Sequence, residues 1–141
     1  MSKIEIKNLS FSYGENTDQF TALEDINLSI EGGEFICLLG PSGCGKSTLL
    51  SLLEGLNRAD SGQILMDGKI VTGPGRNRAV VFQHYSLFPW LSARKNVLFG
   101  IRQSGQVYPP KKARAIADDY LAKVGLGNAG DKYPAQLSGG M

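Results

Sequence analysis

Gly40-Pro41-Ser42-Gly43-Cys44-Gly45-Lys46-Ser47-Thr48 is the stretch on which the reading of this chain turns. It fits G-x-x-x-x-G-K-[ST], with Gly40, Gly45, Lys46 and Ser47 on the fixed positions. Glycines let the backbone approach a ligand closely, so successive N–H groups converge on an anion. A helix opening at the end of the loop adds free N–H groups and the positive end of its dipole, and both favour a phosphate. Lys46 supplies a point charge for the outer phosphates, and the Ser47 hydroxyl an oxygen ligand for Mg²⁺. Such a loop needs a strand before it and a helix after it. Phe35-Ile36-Cys37-Leu38-Leu39 is continuously apolar, as a strand buried on both faces should be, and Leu49, Leu50, Leu52, Leu53 and Leu56 form a broad helical face.

The bulk properties narrow the classes. At 141 residues the chain has the size of one domain. Its net charge is +2 and its 15 Lys and Arg residues are scattered, so no basic stripe argues for nucleic acid. Cys37 and Cys44 are the two cysteines, and a disulfide between them would distort the loop, which predicts a reducing setting. They offer no metal cluster with the single histidine, His84. The first residues alternate charged and apolar side chains, unlike a signal peptide, and the apolar run at 35–39 is too short to span a bilayer. A soluble protein is expected, with any membrane role through a partner.

Outward from the loop, Ile4 and Ile6, then Leu9, Phe11 and Tyr13, alternate in two phases that meet near Lys7-Asn8. This predicts a bulged strand ending at Tyr13-Gly14. Residues 15–21 read as polar loop, Ile26, Leu28 and Ile30 as a second strand, and Glu31-Gly32-Gly33 as a turn. Gln63 to Met66 and Lys69 to Val71 read as a hairpin joined at Asp67-Gly68. Ala79-Val80-Val81-Phe82 reads as a second buried strand running into Gln83. Ser92 is an N-cap for a helix to about Gly100, and Pro110 opens another through Ala113, Ile116, Ala117, Tyr120, Leu121 and Val124. The chain closes on Leu137-Ser138-Gly139-Gly140-Met141.

Together these features resemble the ATPase subunit of ATP-binding cassette (ABC) transporters. The resemblance runs through Phe11-Ser12-Tyr13-Gly14, the phosphate loop, Val81-Phe82-Gln83 and Leu137-Ser138-Gly139-Gly140, in the family's order and spacing. Gly73-Pro74-Gly75 and Leu87-Phe88-Pro89-Trp90 resemble the nitrate, sulfonate and taurine importer branch, as does Met141 where many relatives carry Gln. The implied fold is an α/β P-loop NTPase of the ABC cassette type, incomplete at its C-terminus. It would comprise an N-terminal antiparallel β region, a partial parallel sheet and a partial helical subdomain. The core would occupy about 1–85 and the helical part about 86–141 of one nucleotide-binding domain.

The resemblance also assigns roles. ATP and Mg²⁺ are the implied cofactors. Tyr13 would stack on adenine; Gly40, Pro41, Ser42, Gly43, Cys44, Gly45, Lys46, Ser47 and Thr48 would hold the phosphates. Gln83 would touch Mg²⁺ or the attacking water, so Lys46 and Gln83 are the expected catalytic pair and Ser47 and Gln83 the expected metal ligands. Ser138, Gly139 and Gly140 would contact the γ-phosphate held by a second ATPase subunit. His84 reads as a loop residue; Trp90 and Phe88 read either as core aromatics or as part of the surface that meets a membrane subunit, and the resemblance favours the second. The implied partners are that second subunit, transmembrane permease subunits and, indirectly, an external solute-binding protein, on the cytoplasmic side of the inner membrane. The Walker B Asp and Glu and the switch His that would follow the signature do not occur in these residues. The expectation is a truncated ATPase with weak or no hydrolysis by itself. A soluble, non-transport ABC ATPase and a hydrolysis-dead nucleotide-binding fragment are the alternatives.

Overall fold

The computed structural model describes residues 3–14, 18–82, 86–138 and 140–141. The expected glutamine Gln83, together with His84 and Gly139, lies outside them. The chain divides into two compact units, Met1–Val80 and Val81–Met141. The sequence reading put that boundary near residue 85.

In the first unit, strands β1 (Ile4–Tyr13), β2 (Phe20–Ile30), β3 (Ser61–Met66) and β4 (Lys69–Ile70) form one antiparallel sheet in the order β2-β1-β3-β4. Helix α1 (Lys46–Glu54) follows the phosphate loop. The two phases of β1 meet at a bulge: its register with β2 shifts between Ile6 and Leu9, and its register with β3 between Lys7 and Ser10. Asn8 takes φ 48° there, its side-chain amide donating to Asp25 Oδ1 and its N–H to Asn27 Oδ1, each at 2.9 Å. The extra residue turns both Ile6 and Leu9 into the core, which simple alternation would forbid. They pack with Phe11, Leu23, Leu49, Leu52 and Ile64. The hairpin between β3 and β4 turns through Asp67 (φ 51°) and Gly68 (φ 74°), the paired positive φ of a type I′ turn. Asp67 also accepts from Lys3 N and donates its N–H to the Lys3 carbonyl, which pins the start of β1 to that turn.

Three expectations are corrected here. Strand β2 begins at Phe20, inside the segment read as polar loop, because Phe20, Ala22 and Leu23 continue the apolar pattern past a break at Asp25 (φ 46°). The buried face of α1 is a narrow stripe of Thr48, Leu49 and Leu52, with Leu50 and Leu56 exposed. The parallel strands expected at 35–39 and 79–82 are not formed: Phe35 is 93% exposed, Leu39 88% and Val81 98%. A strand buried on both faces needs ladder partners and covering layers, and none pairs with these runs among the described residues. Leu38 alone of the first run leans partly on the core.

The second unit holds helices α2 (Ala93–Gln103) and α3 (Pro110–Lys123) with short 3₁₀ turns at Gly127–Ala129 and Pro134–Gln136. Its buried apolar residues are mostly small: Ala93, Ala113, Ala117, Leu121 and Ala129. Ser92 caps α2 by accepting from Lys95 N at 3.4 Å, as expected, although the helix runs on to Gln103. The Ala93 and Arg94 N–H groups, which no helical carbonyl can reach, donate to Lys132 and Gly130 at 2.8 Å each. The Arg94 side chain pairs with Asp118 and Asp131. Its hydrogen bond to Asp118, backed by Asp131 against a cost of burial, raises its pKa above the usual arginine value.

Candidate functional site: a phosphate loop beside an aromatic strand end

Helix α1 begins without a side-chain cap, Gly45 standing at its N-cap with φ 91°. Gly43 has φ 84°. These two conformations suit glycine and leave the first N–H groups of α1 without side-chain acceptors. A side chain at Gly45 would also bring Cβ to 2.7 Å from the Ala22 carbonyl and from Leu23 Cδ2. The loop is therefore seated directly on β2. It is braced internally by Cys44 N donating to the Pro41 carbonyl at 3.4 Å and Leu49 N to the Gly45 carbonyl at 2.8 Å.

The Lys46 ammonium donates to the carbonyls of Gly40 (2.8 Å) and Pro41 (2.7 Å) and lies 3.4 Å from Cys44 Sγ. Its charge is thus held over the loop by the carbonyls of the loop's first two residues, where an incoming phosphate would meet it. Ser47 is exposed at the helix start and Thr48 is buried. The Thr48 hydroxyl lies 3.2 Å from the Tyr13 hydroxyl, either one able to donate. That bond ties the last residue of β1 to the first turn of α1. Tyr13, 46% exposed, also meets Phe11 edge-to-face, with ring centroids 4.9 Å apart.

Tyr13, Phe20, Ala22, Gly43, Gly45, Lys46, Ser47 and Thr48 line one open cleft of about 230 Å³. The expected base-stacking residue therefore shares a wall with five of the expected phosphate residues, Gly43 and Gly45 to Thr48, whereas Gly40, Pro41, Ser42 and Cys44 are not part of that lining. A larger hollow of about 420 Å³ lies between α1 and the β3–β4 hairpin and contains none of these residues. The cleft's donor set suits Mg²⁺ in one limited way. Ser47 offers a single neutral oxygen, which fits an ion that takes its other ligands from phosphate and water. No cluster of three or more His, Cys, Asp or Glu able to hold a metal occurs among the described residues.

Ser138 is exposed in the second unit, and its carbonyl accepts from Met141 N at 2.9 Å. Gly140 is exposed as well. Phe88 packs on Phe99 (4.8 Å) and Trp90 (5.4 Å), while Trp90 is 70% exposed. Both cysteines are free and exposed. Phe20 was missed by sequence reasoning. The available signal was the apolar pattern at Phe20 and Ala22, masked by the bulge at Asp25.

The family profile described as "ABC transporter" matches residues 23–141. A nitrate import ATP-binding protein of Synechocystis is 49% identical over 138 residues, covering 98% of this chain and 51% of that protein. A bicarbonate transport ATP-binding protein of the same organism is 46% identical over 138 residues, covering 98% and 49%. A dimeric ATP-binding cassette solved in a post-hydrolysis state with ADP and Pi superposes with a TM-score of 0.83 at 28% identity, covering 96% of this chain and 63% of that one. The chain spans about half the length of the curated relatives it matches. Family match, identity and superposition agree with one another: the chain belongs to the ABC transporter family, within its ATP-binding domain.

Proposed function

We propose that the cleft binds the triphosphate end and base of Mg²⁺-ATP, and that the protein works as the ATP-binding subunit of an importer for a small anion. The observation that carries the nucleotide reading is the shared wall of Tyr13, Gly43 and Gly45–Thr48, joined by the Tyr13–Thr48 hydrogen bond. Lys46 and the opening N–H groups of α1 would hold the phosphates. Ser47 would carry the Mg²⁺, which supplies charge neutralisation as the terminal phosphate leaves. The importer reading rests on the named activities of the relatives, nitrate import and bicarbonate transport, both of small anions. Gln83 as a ligand of water or Mg²⁺, and Ser138 to Gly140 as the contact to a nucleotide on a second ATPase subunit, belong to the same proposal. So does a face around Trp90 meeting a membrane permease from the cytoplasmic side of the inner membrane, with a solute-binding protein beyond it. No helix among the described residues is long and apolar enough to cross a membrane.

Calorimetric titration of the 141-residue chain with Mg²⁺-ATP tests the first part. Lys46→Ala should weaken binding by at least about tenfold, the value of a charge-assisted hydrogen bond of about 1.5–3 kcal/mol. An unchanged affinity would refute the site. Co-purification with permease subunits, and loss of nitrate uptake on deletion of the gene, test the second part. Uptake unaffected by deletion would exclude nitrate as the solute.

A second reading, nucleotide binding without turnover by this chain alone, is favoured by the cleft lining. No carboxylate stands among the described lining residues to orient the water or act as base. Phosphate release at the background rate is expected. Sustained turnover by the purified chain would overturn this reading while leaving the binding site intact.

A further inference from the structure

We infer that Phe20 forms a second wall of the base-binding end of this cleft, contacting the nucleobase together with Tyr13. The inference rests on the nucleotide reading of the cleft given above.

Phe20 and Tyr13 are direct Cα partners in the antiparallel pair β1–β2. Side chains of directly opposed residues emerge on the same face of a sheet, with Cβ atoms about 4.5–5.5 Å apart. That face is identified by Tyr13, whose hydroxyl reaches Thr48 on α1. Phe20 is therefore turned to the phosphate loop by register alone. It lines the same cleft as Gly43 and Gly45 to Thr48.

Its environment leaves the ring free to act. Phe20 is 61% exposed, and among the described residues no aromatic ring stacks on it. The ring of Tyr13 engages Phe11 edge-on rather than Phe20. Two aromatic side chains thus border a concave, open site without closing on each other. Single exposed apolar residues on a convex surface need no explanation, but a phenyl ring in a phosphate-loop cleft offers a planar apolar surface to a planar ligand. The remaining apolar lining is Ala22, which is too small to clash with a ring lying between strand end and loop.

The experiment separates base from phosphate by titrating the chain with Mg²⁺-ATP and, in parallel, with Mg²⁺-tripolyphosphate, which has no base. Stacking one base on one aromatic ring gives Phe20→Ala an expected loss of about tenfold in ATP affinity, with tripolyphosphate affinity unchanged. Phe20→Tyr should restore ATP binding, and its circular dichroism should match the wild type. If Phe20→Ala leaves ATP affinity untouched while Lys46→Ala weakens both ligands, the Phe20 inference fails and the cleft survives. Equal losses of ATP and tripolyphosphate in Phe20→Ala would make the residue structural, and would also overturn it. A wild-type chain that binds neither ligand would sink the cleft reading, and this inference with it.

Discussion

One hydroxyl pair, Tyr13 and Thr48, joins residues 35 positions apart and turns a strand end and a helix start into a single site. Thr48 is nearly buried, so Thr48→Val keeps its shape and removes only the hydrogen bond. ATP affinity should fall by about fivefold, the equivalent of about 1 kcal/mol, and Tyr13→Phe should give a similar loss. In calorimetry the double variant should be no worse than either single one, since both delete the same bond. Gly45→Ala acts differently. At φ 91°, with its Cβ forced against the Ala22 carbonyl, it should lower the unfolding free energy by about 1–3 kcal/mol in urea titration. At this scale the sequence was legible where chemistry is local: Gly40 to Thr48 announce themselves as a contiguous motif. The Tyr13–Thr48 bond was not legible, because it depends on how a strand end meets a helix, which no run of neighbouring residues encodes, and the place of Phe20 was hidden by the break in pattern at Asp25.

Elements that carry their own stop and turn signals were legible too. The change of phase at Asn8 marked the bulge in β1, Asp67-Gly68 marked a hairpin, and Ser92 and Pro110 marked helix starts. The runs 35–39 and 79–82 misled because continuous apolarity reports what a strand would bury, while a strand forms only beside a partner. Opposite the Asn8 bulge, Gly62 (φ 75°) lies so close to β1 that a Cβ would fall 2.2 Å from the Asn8 carbonyl oxygen. In the second unit, Asn96 fastens the segment before α2. Its Oδ1 accepts from Phe88 N at 2.8 Å, and its Nδ2 donates to the carbonyls of Phe88, Leu91 and Ser92. Asn96→Ala leaves the part-buried Phe88 N–H without this acceptor and should cost about 1–3 kcal/mol in thermal or urea unfolding. Arg94 predicts a pH response by its sign. A cation with a raised folded pKa contributes stability that is complete below its unfolded value and is lost only as pH rises through the folded one. The stability gap between wild type and Arg94→Met that arises from the arginine's own titration should therefore be the same at about pH 6 and about pH 9.

For the whole molecule, the aromatic and aliphatic surface left open in the first unit by Phe35 and Leu39 has a direct consequence. Exposed apolar side chains on an unpaired segment promote self-association. The purified chain should scatter light increasingly with concentration, and Phe35→Lys with Leu39→Lys should suppress that; equal scattering by the variant would show that another surface is responsible. Fold family was legible at this scale because motif order survives in sequence, and the superposition at a TM-score of 0.83 agrees with it. Helix α1 starts at Gly45 with no side-chain cap. A helix whose opening amides have no side-chain acceptor is stabilised by whatever anion arrives, so ligand and fold are thermodynamically linked. At a nucleotide concentration about a hundred times its Kd, that linkage raises the unfolding free energy by about 2.7 kcal/mol. Amide hydrogen exchange in the first turn of α1 should slow with it, making the protection of four backbone protons a direct gauge of occupancy.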